Sequence, residues 1–344
     1  MARRTSSKIT MLDVAHKANV STATVSRFIN HTGPVSEPVA HRIAQVMEEL
    51  NYVPHAGAQH LASQKTMVVG LLLWNMHNDF FGPLLYGIES TVRENGYNLL
   101  VASCRADHYT STFPPIGPHN TDGLLVFADG LSDSDLHRLS SANFPMVLIH
   151  RTSPEGTDIP YVTVENRAAT AELIRHLIQV HNRRRIVFIR GPENQEDSVW
   201  REMGYKEALT ENGIEYTTDL IISGEFERDI ANQAMKEFIK AHRNSNDIGF
   251  DAVFTGDDDA AIGVIQALKE CGIRIPEDVS VVGFDDSRLS AHLDPPLTTV
   301  RAPTYDVGCI SAINLFQILE NQPVETATLL PTEIILRHSC GCLN

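Results

Sequence analysis

Apolar positions change their period once along the chain, near residue 65. Before that point they recur three and four residues apart in short runs. Ile43, Val46, Met47 and Leu50 form the clearest stripe and predict the inward face of a helix. Thr10 opens an earlier helix over residues 11–18, with Asp13 placed to favour its first turn. Asn19-Val20 ends it, Ser21 caps a second helix over residues 22–29, and Ser36 caps the third, which ends near Leu50. Asn30-His31-Thr32-Gly33-Pro34 between them reads as a loop. Two short helices joined by a tight turn, with a third closing a small core, predict a helix-turn-helix.

Past Lys65, apolar runs alternate with amphipathic stretches. Strands are expected over residues 67–74, 98–103, 123–127, 146–149, 186–190, 219–222, 252–255, 279–284 and 298–301. Helices are expected between them, for example over residues 82–95, 167–179, 200–212, 229–242 and 260–271. Gly96, Gly213 and Gly272 each follow a helix, as C-terminal caps do. Strand–helix alternation predicts parallel sheets wrapped by helices, an α/β body. Residues 104–121 break the rhythm, since Pro114, Pro115, Gly117 and Pro118 forbid a long helix. A short or irregular crossover is expected there.

Composition sharpens this division. The chain has 344 residues, 42% of them apolar, enough for more than one core. It holds no apolar run of roughly 18 residues, so no membrane span is expected, and no apolar segment follows the basic start to make a secretory signal. The formal net charge is −15. Residues 1–65 carry seven Lys/Arg against four acids, a basic head on an acidic body. That asymmetry points to nucleic acid at the head alone. The five cysteines, Cys104, Cys271, Cys309, Cys340 and Cys342, are odd in number and scattered, which fits reduced thiols. Cys340-Gly341-Cys342 offers two thiols to a metal, but no second Cys or His pair stands at finger spacing, and the pair reads as tail thiols. Asp257-Asp258-Asp259 reads as a helix cap and ligand contact rather than a metal cluster. No Gly-x-Ser-x-Gly, Walker loop or His-Glu-x-x-His motif occurs, so enzymatic chemistry is not expected.

The segment ITMLDVAHKANVSTATVSRFIN, followed by VSEPVAHRIAQVMEELNYVP, resembles the DNA-binding head of the lactose/galactose repressor (LacI/GalR) family. Its pattern DVAxxAxVSxxTVSRxxN is far more specific than a generic helix-turn-helix. GLLLWNMHNDFFGPLLYGIESTVRENGYNLL, VFTGDDDAAIGVIQALKECGIRIPEDVSVVGFDDS and LDPPLTTVRAP resemble the family's sensor domain. The resemblance implies a DNA-binding domain over residues 1–53, a hinge over 54–66, and an effector-binding and dimerisation domain over 67–344. The last would have the periplasmic-binding-protein type I architecture of two parallel-sheet α/β subdomains. The first subdomain is expected over about 67–160 with a return near 290–320, and the second over about 161–290 with the C-terminal strand.

In a helix-turn-helix the second helix enters the major groove N-terminus first. Thr22, Ala23 and Arg27 would face bases, Arg27 offering two donors to guanine. Thr10, Ser21, Ser26 and Asn30 are placed for phosphate contact or capping, and Tyr52 closes the head. By resemblance, residues 55–63 form a hinge helix that orders on DNA, with Leu61 wedged into the minor groove. His55 replaces the family's frequent Asn, and a frequent Arg near Gln59 is missing.

Ligands of open α/β sheets bind beyond the carboxyl ends of the strands. Reading those ends gives Trp74, Asp79, Phe81, His150, Trp200, Arg201, Phe226, Asp257 and Asp285 as the candidate effector site. The resemblance makes Arg201, Asp257 and Asp285 the main polar contacts and Phe81 and Phe226 the packing ones, with His150 standing where an acid is common. Carboxylates and Arg suit hydroxyls, and aromatic faces cover a pyranose, so a saccharide is favoured over a nucleobase. The expectation is a cytoplasmic, homodimeric transcription regulator, a repressor, reading a pseudo-palindromic double-stranded operator under control of a small-molecule effector. No cofactor, metal or membrane is expected. A nucleoside-responsive or corepressor-dependent regulator is the alternative, and a solute-binding protein without a DNA role is a third reading.

Overall fold

The computed structural model describes residues 9–30, 33–52, 65–74, 76, 79–103, 114–242 and 248–342. The chain divides into two units, Met1–Met67 and Val68–Asn344. No helix among the described residues is long and apolar enough to cross a membrane.

The first unit holds helices α1 (Met11–Lys17), α2 (Thr22–Asn30) and α3 (Glu37–Glu49). The Asp13 carboxylate accepts from the Thr10 N–H at 2.8 Å and the Thr10 hydroxyl at 2.7 Å, fixing the start of α1. Ser21 Oγ accepts from the Thr24 N–H at 3.1 Å, the cap expected for α2. Asn19 takes φ +52° in the turn between them, a conformation that Asn tolerates better than most residues. Val14, Ala15, Ala18, Val25, Ile43 and Val46 form the core, one stripe from each helix. Helix α2 runs to Asn30, one residue past its expected end.

The second unit is two parallel sheets wrapped by helices. Its elements are β1 (Val68–Leu73), α4 (Phe81–Glu94), β2 (Asn98–Ser103), β3 (Gly123–Phe127), α5 (Asp133–Ser141), β4 (Met146–Ile149) and β5 (Tyr161–Val164). Then come α6 (Arg167–Gln179), β6 (Ile186–Arg190), α7 (Glu196–Glu211), β7 (Ile221–Ser223), α8 (Arg228–His242), β8 (Ala252–Thr255), α9 (Asp258–Glu270) and β9 (Ser280–Asp285). Last are β10 (Thr298–Arg301), α10 (Thr304–Leu319), β11 (Ala327–Leu330) and β12 (Glu333–Ile335). One sheet has the order β11-β5-β4-β3-β1-β2, the other β12-β10-β9-β8-β6-β7. Pairing is parallel throughout, except that β12 runs antiparallel to β10. Strands β3, β4 and β8 are buried at every position, which is why they read as unbroken apolar runs.

The chain crosses between the sheets three times: after β5, after β10 and after β11. Two expected boundaries are corrected by this. Residues 161–164 belong to the first sheet, where β5 pairs with β4 and β11, not to the second subdomain. The return does not begin near 290, because β10 pairs with β9 and β12 in the second sheet; it begins after Arg301, with α10 packing on α4. The strand expected over 219–222 is shifted, Thr218–Leu220 being a short 3-10 turn ahead of β7.

In the crossover before β3, residues 114–121 form turns without helix. Ile116 is 2% exposed and covers that face of the sheet with Leu124, Leu136 and Leu139. Residues 104–113, where the rest of the irregular crossover is expected, lie outside the described residues.

Candidate functional sites

In the head, Thr22, Ala23 and Arg27 are exposed on α2, and Arg27 makes no ion pair among the described residues. They share one outward face at helical spacing. Thr10 and Ser21 use their hydroxyls as caps. Asn30 Nδ2 donates to Ser26 Oγ at 3.2 Å, so this pair binds within the helix. Tyr52 is half-buried against the head core. Leu61, with the expected hinge helix over 55–63, lies outside the described residues.

In the second unit, the carboxyl ends of both sheets border a small cavity of about 40 Å³. Trp74 follows β1, Phe80 caps α4 and Phe81 starts it, and Phe127 ends β3; these four rings form the first-sheet wall. Phe80, Phe81 and Phe127 meet edge to face with centroids 5.2–5.8 Å apart. The opposing wall is polar: Gln195, Asp197 and Arg201 at the start of α7, Asp257 after β8, and Asp285 ending β9, with Phe226 among them.

Arg201, 3% exposed, organises that wall. Its Nε donates to Asn166 Oδ1 at 2.8 Å and its Nη1 to the Gly256 carbonyl. Nη2 stands 3.6 Å from Asp197 Oδ2 and 3.8 Å from Asp285 Oδ1, and the guanidinium lies 3.8 Å over the Phe284 ring. Such a held guanidinium presents fixed donors. Asn166 Nδ2 also donates to Asp197 Oδ1 at 2.8 Å, tying the pair together.

The three carboxylates differ. Burial raises Asp197, but His150, Arg201 and Asn166 together outweigh it and hold its pKa below the usual value. Burial pushes Asp257 up to about 7 against the opposing Ala260 N–H and Arg201. Burial also raises Asp285 well above the ordinary range despite Arg201. Asp257 Oδ1 accepts from the Ala260 N–H at 2.9 Å as the cap of α9. Asp285 takes φ +113°, and its buried Oδ1 has no hydrogen-bond partner among the described residues. A buried acceptor without a partner is costly, and a ligand hydroxyl in the cavity would supply one.

Two contacts cross between the walls. His150 Nδ1 lies 2.7 Å from Asp197 Oδ2. Thr152 donates through N–H at 2.9 Å and Oγ1 at 2.8 Å to the Glu196 carboxylate.

The structure thus brings Trp74, Phe81, Arg201, Phe226, Asp257 and Asp285 to one cavity and leaves three expected residues off it. His150 is 3% exposed and sits behind the wall, its ring against Phe80 and Phe127. Trp200 is 40% exposed: the helical turn that aims Arg201 inward aims its neighbour out. Asp79 is exposed and lines an adjoining small space that shares Phe80, Asp257 and Asp285 with the cavity. Sequence reasoning missed Phe127, Gln195, Asp197 and Asn166. Phe127 ends a strand as Trp74 follows one, and Asp197 stands four residues before Arg201 on the same helix face, so both carried a readable signal.

Two family signatures match the chain: "Bacterial regulatory proteins, lacI family" over residues 10–55 and "Periplasmic binding protein-like domain" over residues 174–340. Catabolite control protein A of Priestia megaterium is 30% identical over 96% of this chain and 99% of its own length. The transcriptional regulator GalR of Escherichia coli K12 is 32% identical over 96% of this chain and 95% of its own. Among solved structures, the lac repressor dimer bound to operator and the anti-inducer ONPF is similar with TM-score 0.78 and 25% identity, covering 97% of this chain and 99% of that one. The transcriptional regulator CelR in complex with cellobiose is similar with TM-score 0.68 and 29% identity, covering 96% and 99%. The three-helix head, the two-sheet core and these matches agree: the chain belongs to the lacI family of bacterial regulatory proteins and is a DNA-binding transcription regulator.

Proposed function

We propose that the protein is a dimeric repressor acting in the cytoplasm, whose hold on DNA is released by a polyhydroxylated ligand, a saccharide, bound between the two sheets. It would act as a regulator and not as an enzyme. The observation that carries the ligand class is the buried Asp285 Oδ1, without a hydrogen-bond partner among the described residues, beside the fixed Arg201 guanidinium and facing a wall of aromatic rings. Burial raises both Asp257, up to about 7, and Asp285, and a protonated carboxyl presents both a donor and an acceptor, the pairing that hydroxyls need. Aromatic faces take the C–H faces of a sugar ring. A ligand that touches both walls would favour one arrangement of them over another and so shift the equilibrium. CelR bound to cellobiose and the lac repressor dimer on its operator support the same reading.

In the head, Thr22, Ala23 and Arg27 would read base edges, and each half of the dimer would read one half of a pseudo-palindrome. A nucleoside is the second reading, favoured by the aromatic rings of Trp74, Phe80, Phe81 and Phe127 on one wall. Thermal-shift titration with sugars and nucleosides separates the two, because a ligand that binds only the folded state raises the melting temperature. A sugar is expected to do so in the wild type and not in Asp285→Ala. A response to nucleosides alone would overturn the saccharide assignment.

A further inference from the structure

The C-terminal tail and the end of α6 bring four metal-ligating side chains to one point, far apart in sequence: His176, His181, Cys340 and Cys342. Their ligand atoms all lie within 4.8 Å of one another. His176 Nε2 and His181 Nε2 are 3.1 Å apart. Cys342 Sγ is 3.4 Å from each of those nitrogens, and Cys340 Sγ is 3.8 Å from His176 Nε2. With Zn–N near 2.0–2.1 Å and Zn–S near 2.3 Å, a tetrahedron has N···N edges of about 3.3 Å and S···N edges of about 3.6 Å. The four measured edges, 3.1–3.8 Å, lie close to these values, and the other two are no longer than 4.8 Å, so a small closure at Cys340 completes the tetrahedron. Two thiolates and two imidazoles are also the donor set that suits zinc rather than magnesium or calcium.

The backbone is shaped for this meeting. Gly341 takes φ +109°, and a Cβ there would stand 3.1 Å from His181 Nδ1. A larger residue would strain the turn and press on the ring, so glycine lets both flanking cysteines face the histidines. Cys340 is fully buried, and its sulfur lies 3.1 Å from the Thr298 hydroxyl, an outer contact of the kind that orients a metal ligand. The tail is otherwise held by the Ser339 hydroxyl, which donates to the Val281 carbonyl at 2.6 Å and accepts from the Thr298 N–H at 2.8 Å. The reading of Cys340-Gly341-Cys342 as tail thiols rested on finger spacing along the chain; the fold supplies the missing histidine pair from α6 and the residue just beyond it.

We propose that His176, His181, Cys340 and Cys342 form a structural zinc site that fastens the C-terminal tail to α6. It shares no residue with the effector cavity, so its role is to hold the fold and not to bind effector. Its ligands close a loop of more than 150 residues, and binding would release the two thiol protons as the sulfurs coordinate. The tail it holds carries Arg337, whose Nη2 pairs with Asp286 at 2.6 Å, next to Asp285 of the cleft.

The test uses the untagged full-length protein, kept reduced, stripped with a chelator and titrated with Zn²⁺ against a chromophoric competitor. The expected result is one zinc per chain, a higher melting temperature than the stripped protein, and, with Co²⁺ in its place, a sulfur-to-metal charge-transfer band with tetrahedral d–d absorption. Cys342→Ser and His181→Ala should each lower Zn²⁺ affinity by at least tenfold, whereas Cys271→Ser and Cys309→Ser should leave it unchanged. Absence of zinc uptake by the reduced wild type, a cobalt spectrum without the sulfur band, or undiminished affinity in Cys342→Ser would each overturn the site. The cobalt spectrum is read on the wild type, so the proposal stays falsifiable even where a variant folds poorly.

Discussion

At the scale of single residues, the chemistry is concentrated in a few buried charges. Asp257 has a folded pKa of about 7 against an ordinary 3.8, so it stabilises the fold most where it is protonated, and that contribution is lost as pH rises through 7. Asp257→Asn keeps an N-cap for α9 and removes the charge. Urea unfolding followed by tryptophan fluorescence is expected to show the variant gaining on the wild type by about 2 kcal/mol more at pH 8 than at pH 5. An equal difference at both pH values would mean that Asp257 is ionised at little cost. In the head, Arg27→Ala is expected to weaken DNA binding by about 1–3 kcal/mol and to relax preference at one base pair; unchanged affinity and selectivity in a binding-site selection would place Arg27 off the bases. Six of the nine expected cleft residues meet at the cavity because strand ends are readable from apolar runs. Trp200 was misplaced because adjacency to a charged residue says nothing about which way a helix turns; its neighbour Arg201 faces in. His150 lies off the cavity and instead meets Asp197 across the cleft, a neighbour that only the fold brings near.

At the scale of elements, the helices of the second unit pack in close pairs. Helix α8 lies on α9 where Gly263 stands: a Cβ there would fall 2.1 Å from the Arg228 carbonyl oxygen. Gly263→Ala must therefore push the two helices apart and is expected to lower stability by about 1–3 kcal/mol, read as a lower urea midpoint; an unchanged midpoint would show that the pair tolerates the added methyl group. The strands that were legible are the buried ones, such as β3 and β8, whose apolar runs have no other explanation. Strands β11 and β12 carry no such run, because they sit at sheet edges, are three or four residues long and are partly exposed; the C-terminal strand β12 was expected through the family resemblance alone. Helix α5 carries a weak signal because its DSDLHRLSS sequence buries only Leu136 and Leu139. Helix α10 carries a weak one because residues on most sides of it are apolar, leaving no helical period to read.

At the scale of the whole molecule, the legible part was the division of labour: a basic three-helix head and an acidic α/β body, visible in charge and in the change of period. The subdomain boundaries were harder, because they depend on which sheet a strand joins. Tyr161–Val164 and Thr298–Arg301 look alike as short β runs, yet one closes on β4 and the other on β9. The three crossings make the two sheets share one chain closely, and contacts such as Thr152–Glu196 bridge them, so a ligand between the sheets acts on both. On the proposed function, occupancy of this cleft sets the hold of the head on DNA. Fluorescence anisotropy of a duplex selected by the protein from random DNA, titrated with and without the sugar found by thermal shift, reads that coupling. The sugar is expected to weaken binding 5- to 150-fold, roughly 1–3 kcal/mol of coupling, and Asp285→Ala to bind the same duplex with no response. Unchanged affinity in the sugar-saturated wild type would contradict it, and tighter binding would reverse the sign and make the ligand a corepressor.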